Sequence, residues 1–323
     1  VCVPISDGSE GFLDAVAPLL DWQNGEGSAR WIEAEVRDPL MRRVRARYLI
    51  YKNTAYIEMA EASGLGLLQP EERNPLTATT YGTGQLIVEA VRKGAWNIVV
   101  GLGGSATSDC GRGMLRALQE AFRNFDALQD IRFTIATDVD NPLYGPQGAA
   151  HVFARQKGAT DDMIAELDRR AVAFASANAQ RMGRDCSQYP GAGAAGGVGY
   201  ALMQFLGARR ESGAELLLRL TRFDDLLTGA DLVVTGEGRA DRQTLMGKVP
   251  MGILRRAQAR GLPTWLVAGQ VTDTERLKRA GFARVMCIKP PLMSTEEAMI
   301  PHVAKNNLAN CLAESLEIIN FEQ

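Results

Sequence analysis

"DLVVTGEGRADRQTLMGK", residues 231–248, joins a short apolar run to a charged stretch punctuated by glycine. The run from Asp231 to Val234 reads as the start of a buried strand, and Gly236 and Gly238 flank Glu237 just where that strand ends. The rhythm then repeats. A helix is predicted over about 249–260, stopped by Gly261. "PTWLVAGQ" (263–270) is a second strand, a short helix around 274–280 ends at Gly281, and "RVMCIKP" (284–290) is a third strand. Ser294 opens a long helix, with Glu297 three residues later completing a capping box. Such alternation means parallel strands joined by helical crossovers.

Residues 30–59 have another texture. Arg43, Arg45 and Arg47 alternate with Val44, Ala46 and Tyr48, between turn signals at Asp38-Pro39 and Lys52-Asn53. Period two with one wet face predicts an antiparallel meander. Further on, "GTGQLIVEAVRKG" is an amphipathic helix closed by Gly94. "NIVVGLGG" is a strand running into glycines, and Met114, Leu115, Leu118 and Phe122 recur at helical spacing. "RFTIATD" is one more strand, ending at Asp138. At the start of the chain, "VCVPISDGSEG" reads as a strand entering a Gly-rich acidic loop, with residues 11–20 helical. The fold class is therefore α/β in two domains: a discontinuous parallel-sheet domain of about 1–27 plus 220–323, and an inserted mixed-sheet α/β domain of about 28–219.

The 323-residue length agrees with about two domains. At 46% hydrophobic and 23% charged, the composition is that of a soluble globular protein. A net charge of −2 argues against nucleic acid or an anionic membrane as the main partner. No apolar run approaches the roughly 20 residues needed to cross a bilayer. The five scattered cysteines form no CxxC pair, which points to reduced thiols in a cytoplasmic protein. The two histidines lie in no Gly-rich loop, so a histidine triad or multi-histidine metal site is not expected.

The standard nucleotide motifs fit poorly. "RQTLMGKV" has Gly247-Lys248 but Arg242 and Val249 where a phosphate loop needs Gly and Ser/Thr. The GxGxxG at Gly191, Gly193 and Gly196 has no strand before it. "GLGGSA" (101–106) has a better context but lacks the later strand-end carboxylate of a dinucleotide site. What remains is physical. Glycines let backbone amides approach an anion, and a helix N-terminus favours it. "GGSATSDCG" supplies both, with hydroxyls at Ser105 and Thr107 and a carboxylate at Asp109. "GEGRADRQTLMGK" adds Arg239 and Lys248 for a polyanion, with Glu237 and Asp241 for a metal or proton; Asp7 and Asp138 close two further strand ends. Acidic, glycine-rich strand ends suit phosphoryl transfer, which needs positioning, Mg²⁺ and cationic charge.

Six blocks then carry a resemblance: "IEMAEASGL", "ERNPLTATTYGTGQLI", "GLGGSATSDCGRGMLRAL", "ATDVDNPLYGPQGAAHVFARQKGA", "PGAGAAGGVGYAL" and "TGEGRADRQTLMGKVPMGI". In this order, over nearly the whole chain, they resemble the bacterial type I glycerate kinases. The resemblance implies ATP-dependent phosphorylation of D-glycerate, typically at the 2-hydroxyl, with Mg²⁺. It also implies two α/β domains with a cleft between them, the discontinuous one flavodoxin-like. Asp7, Arg239, Asp241 and Lys248 become the expected catalytic group. Gly103, Gly104, Ser105, Thr107, Asp109, Gly236, Glu237 and Gly238 are expected around the nucleotide, and Asp138 and Asp241 at the metal. Arg239 and Lys248 would hold the glycerate carboxylate or the γ-phosphate; which of Asp241, Asp138 and Asp7 binds Mg²⁺ and which accepts the hydroxyl proton stays open. The family pattern begins with a strand and loop similar to "IAPDSFKGSLS" and carries a further, often Gly-rich segment after the helix matching 109–119. Neither is in this sequence, and both are expected in the natural chain, since losing a central strand would leave apolar sheet edges unpaired. A non-catalytic sugar-acid binding protein on the same fold is the rival reading, and a dinucleotide oxidoreductase using "GLGGSA" a second.

Overall fold

The computed structural model describes residues 1–25, 27–123, 125–246 and 249–321. Two compact units divide the chain, Val1–Thr221 and Arg222–Gln323.

In the first unit six strands form one mixed sheet: β1 (Arg30–Arg37), β2 (Arg43–Tyr51), β3 (Thr54–Glu58), β4 (Asn97–Gly101), β5 (Arg132–Ala136) and β6 (Arg209–Glu211), in that spatial order. β1, β2 and β3 pair antiparallel, and β3 through β6 run parallel. The principal helices are α1 (Phe12–Asn24), α2 (Tyr81–Arg92), α3 (Arg112–Phe122), α4 (Asp161–Met182), α5 (Ala194–Leu206) and α6 (Gly213–Leu220). Strand alternation divides the apolar residues between two faces. Tyr48, Ile50, Ile57, Ile98, Val100 and Ile135 pack with Leu86, Ile87, Met114 and Leu118 of α2 and α3. Leu49, Tyr56 and Val99 face the other way, onto Phe12, Leu13, Val16 and Leu19 of α1 and Leu216 and Leu217 of α6. Helices on both faces leave the carboxyl ends of the parallel strands as the place where loops can gather polar groups.

The second unit has a three-stranded parallel sheet, β7 (Val233–Ala240), β8 (Thr264–Val271) and β9 (Arg284–Cys287), in that order. Helices α7 (Val249–Gln258) and α8 (Thr274–Arg279) cross between the strands, and α9 (Pro301–Phe321) follows. Ala240, Leu254, Leu266, Ala268, Leu277 and Phe282 form its core. Among the described residues no helix is long and apolar enough to cross a membrane.

Four local expectations meet corrections. Residues 1–6 form no strand. Val3 and Ile5 instead half-bury against the α1 core without joining a ladder, and Gly8, at φ +90°, turns the chain toward the helix. The sequence pattern also groups 1–27 with 220–323, whereas α1 packs against β2, β3 and α6 of the first unit. The reason is the α1 stripe itself: Phe12, Leu13, Val16 and Leu19 cover a sheet face that would otherwise stay wet. In the second unit β7 does not give way to a loop at Gly236. It continues to Ala240, in register with β8 through Gly236↔Val267, Glu237↔Ala268, Arg239↔Gln270 and Ala240↔Val271. Lastly, Ser294 does accept from the Glu297 amide at 3.0 Å, but it caps only Thr295–Ala298. Pro301 begins the long helix afresh, because proline suits a first helical turn and cannot continue an interior.

Candidate functional site

The first-unit residues gather at the carboxyl ends of β4 and β5. Glu58, at the end of β3, is buried and accepts from the amides of Gly11 at 3.1 Å and Leu13 at 3.2 Å. It thereby fixes the start of α1, a helix N-terminus that favours an acceptor with negative charge. Burial pushes its carboxyl up, against those two amide bonds. Ahead of α1 lies the turn Asp7–Gly11. Asp7 accepts from the Ser9 amide at 3.0 Å and from the Ser9 hydroxyl. This turn rests directly on the loop after β4: a Cβ at Gly103 would lie 2.3 Å from Ser9 Cβ, and one at Gly104 2.6 Å from Glu10 Cγ. Gly104 also has φ +65°, so glycine is required there both for conformation and for space.

These two turns, with Lys157 and Gln156 opposite, line a cavity of about 350 Å³. That is within the range of small-ligand sites. Ser105 is at its wall, and its hydroxyl accepts from Lys157 Nζ at 2.8 Å; the Thr107 carbonyl accepts from the same nitrogen at 2.6 Å. Lys157 is 2% exposed. Burial draws its ammonium down to about 7, with Asp109 pulling the other way.

Asp138 stands beyond the end of β5. Its Oδ1 is buried and has no hydrogen-bond partner among the described residues. Burial pushes this carboxyl up, aided by the neighbouring Asp7 carboxylate and opposed by hydrogen bonds from Ser212 and the Gly213 amide and by Arg210. Among the described residues no three His, Cys, Asp or Glu side chains assemble into a protein-only metal site. An orphaned, buried carboxylate oxygen beside a second carboxylate is nonetheless a donor set that fits Mg²⁺, which takes one or two carboxylates and completes its shell with water and substrate oxygens.

Other expected residues have different surroundings. Asp109 accepts from the Thr80 amide at 2.9 Å and hydroxyl, and from the amides of Gly111 at 2.9 Å and Gly113 at 3.0 Å. It caps α3 and ties that helix to α2, so its oxygens are already occupied. Thr107 is fully buried, and its Oγ1 has no partner among the described residues. The glycine-rich stretch "PGAGAAGGVGYA" packs beneath this loop. Ala195, Gly196 and Gly197 are all left-handed, and a Cβ at Gly196 would sit 2.1 Å from the Thr107 carbonyl oxygen.

In the second unit, Glu237 accepts from the hydroxyl of fully buried Thr244 at 2.5 Å, and that hydroxyl accepts from the Asp241 amide at 3.0 Å. Asp241 accepts from the Gln243 amide at 2.7 Å and pairs with Arg239 at 3.3 Å. The Arg239 side chain is exposed. A Cβ at Gly236 would press on the Val267 carbonyl at 2.8 Å, while one at Gly238 would meet nothing within 4 Å. Gly247 and Lys248 lie outside the described residues.

The structure thus brings Asp7, Gly103, Gly104, Ser105, Thr107 and Asp138 to one end of the first-unit sheet, and Gly236, Glu237, Gly238 and Arg239 to one strand of the second, with Asp241 just past its end. Sequence reasoning missed Lys157. In "ARQKGA" it looks like any solvated lysine, and its burial is tertiary: Gly158, at φ +91°, lies so close to the Arg73 carbonyl that a Cβ would be 2.7 Å away. The one signal in the sequence is the glycine that follows it.

Comparison with known proteins agrees with this fold. A family model described as the glycerate kinase family matches residues 1–127 and 120–320. A glycerate kinase of Halalkalibacterium halodurans is 39% identical over 324 residues, covering 92% of this chain and 83% of the relative. A glycerate 2-kinase of Escherichia coli is 40% identical over 299 residues, covering 84% and 77%. The crystal structure of a protein assigned as glycerate kinase 2 from Salmonella typhimurium superposes with a TM-score of 0.78 at 34% identity, covering 98% of this chain and 89% of that one.

Proposed function

The chain belongs to the glycerate kinase family, and from that premise we propose that it transfers the γ-phosphoryl group of ATP to the 2-hydroxyl of D-glycerate, giving 2-phosphoglycerate and ADP. The observation that carries this reading is the set of polar groups near the carboxyl ends of parallel strands: the Gly103–Gly104 turn, the Asp7–Asp138 pair, and Glu237 and Arg239 on β7 with Asp241 just past its end. Phosphoryl transfer asks for little covalent chemistry from a protein and much positioning. Gly103 and Gly104 let the Asp7–Gly11 turn pack onto the β4 loop, which brings both turns to the wall of the cavity where a phosphate oxygen would enter. Asp7 and Asp138 would hold Mg²⁺, whose charge, when bound, neutralises that of the transferring group. Arg239 is exposed and free to swing from Asp241 to an oxyanion, the glycerate carboxylate or a phosphate. Asp241 then becomes available to accept the hydroxyl proton. The 2-position follows the E. coli relative's name.

The test is ADP release with ATP, Mg²⁺ and D-glycerate, with the product identified by ³¹P NMR. Glycerate-dependent release with 2-phosphoglycerate as product is the expected result. Binding of D-glycerate with no turnover would instead make the chain a sugar-acid binding protein.

A further inference from the structure

Lys157 is a buried cation with no carboxylate bonded to it. Its ammonium has three donors. Two go to neutral acceptors, the Ser105 hydroxyl at 2.8 Å and the Thr107 carbonyl at 2.6 Å; for the third there is no acceptor among the described residues. Among the described residues two charged groups are placed near it. Asp109 attracts it through space but gives its oxygens to Thr80, Gly111 and Gly113. Glu10 lines the same cavity from the opposite turn and is exposed. An isolated buried ammonium is costly, and a well-packed apolar side chain would do better as mere filling. The lysine also stands at the wall of a 350 Å³ cavity that the Gly103–Gly104 turn lines as well.

From the cavity, the missing counter-charge and the idle donor, we propose that Lys157 is the anion anchor of this pocket: a carboxylate or phosphoryl oxygen entering the cavity completes its hydrogen bonds and supplies its counter-ion. The inference rests on the kinase reading for the choice of ligands, and it adds a binding residue that binds by taking up charge. In the free protein, burial leaves Lys157 close to half-protonated at neutral pH. A bound anion favours the charged form, so binding draws a proton from solvent. Affinity is full below about pH 7 and falls as pH rises, until the pKa of the bound state is reached. Glu10, beside the same anion, suits a ligand that also carries a hydroxyl donor.

Titration calorimetry on the full chain in buffers of different ionisation enthalpy measures this directly, with D-glycerate alone in one arm and a non-hydrolysable ATP analogue with Mg²⁺ in the other. The expected result is uptake of roughly half a proton per bound ligand at pH 7 in one arm, with affinity falling up to tenfold per pH unit above it. The arm in which it occurs identifies the anion as the glycerate carboxylate or the phosphoryl group. Lys157→Met abolishes the uptake and weakens that ligand at least tenfold. Should the variant fail to fold, the wild-type uptake alone decides. Binding of both ligands without uptake overturns the inference, as does a Lys157→Met protein that holds both within threefold of wild type. Wild type binding neither ligand sinks the kinase reading and the inference together. Glycerate phosphorylation without uptake sinks the inference alone.

Discussion

Gly103, just past the end of β4, and Gly238, inside β7, are both glycines of strand-end motifs. A methyl at the first would sit 2.3 Å from Ser9 Cβ, and at the second would meet nothing within 4 Å. The contrast extends to their neighbours. In the first unit the site is set by close packing of backbone on backbone: Gly8 against Ala136, Gly213 against Asp7, Gly196 against Thr107. In the second unit the charged residues lie along and just past an extended strand, and their carboxylates accept hydrogen bonds, Glu237 from the Thr244 hydroxyl and Asp241 from the Gln243 amide. One region is held by backbone packing, the other by side-chain pairings that are only partly buried. In the proposed reaction the first would position a ligand and the second would respond to charge.

Substitutions test this contrast. The largest effect on stability is expected from Gly103→Ala, which forces the Asp7–Gly11 turn off the β4 loop and costs about 3 kcal/mol by overpacking, read from the urea midpoint. Lys157→Met acts in the opposite direction. It removes a buried unpaired charge and should stabilise the ligand-free protein by about 1–4 kcal/mol, while anion binding is lost. The sign is checked by pH. Unfolded lysine keeps its proton to about 10.5 and the buried one only to about 7, so wild-type stability rises with pH between them, and the variant should lose that rise. Thr244→Val leaves the Asp241 amide without its acceptor and Glu237 without its hydroxyl donor, at a cost of about 1–2 kcal/mol. The smallest effect belongs to Gly238→Ala. Stability should stay within about 0.5 kcal/mol of wild type, so any loss of activity beyond that reports a ligand approaching the strand.

Much of the fold is legible because its signals are local. Period two in residues 43–48 gives the meander, apolar runs ended by glycine give the parallel strands, and Gly94, Gly261 and Gly281 follow helices where expected. What escaped depends on partners distant in sequence. Val1–Ser6 has strand composition but finds no ladder, and Gly236–Arg239 has loop composition yet pairs with β8. Of the candidate site, the glycines and Asp138 follow strands that the sequence shows, whereas Asp7 follows residues 1–6, which form no strand. Asp109 could not be told from a ligand-binding carboxylate until its bonds to Thr80, Gly111 and Gly113 showed a helix cap. Lys157 could not be told from a surface lysine, because its burial depends on the β4 loop some fifty residues away.

The proposed function requires Asp138 and Asp241 each to act in glycerate phosphorylation. Steady-state kcat/KM for D-glycerate, with ATP and Mg²⁺ saturating, tests it most directly in Asp138→Asn and Asp241→Ala, each first shown to unfold at the wild-type urea midpoint. The account predicts that each falls at least tenfold, about 1.4 kcal/mol of transition-state stabilisation. Wild-type rates in either variant would contradict it.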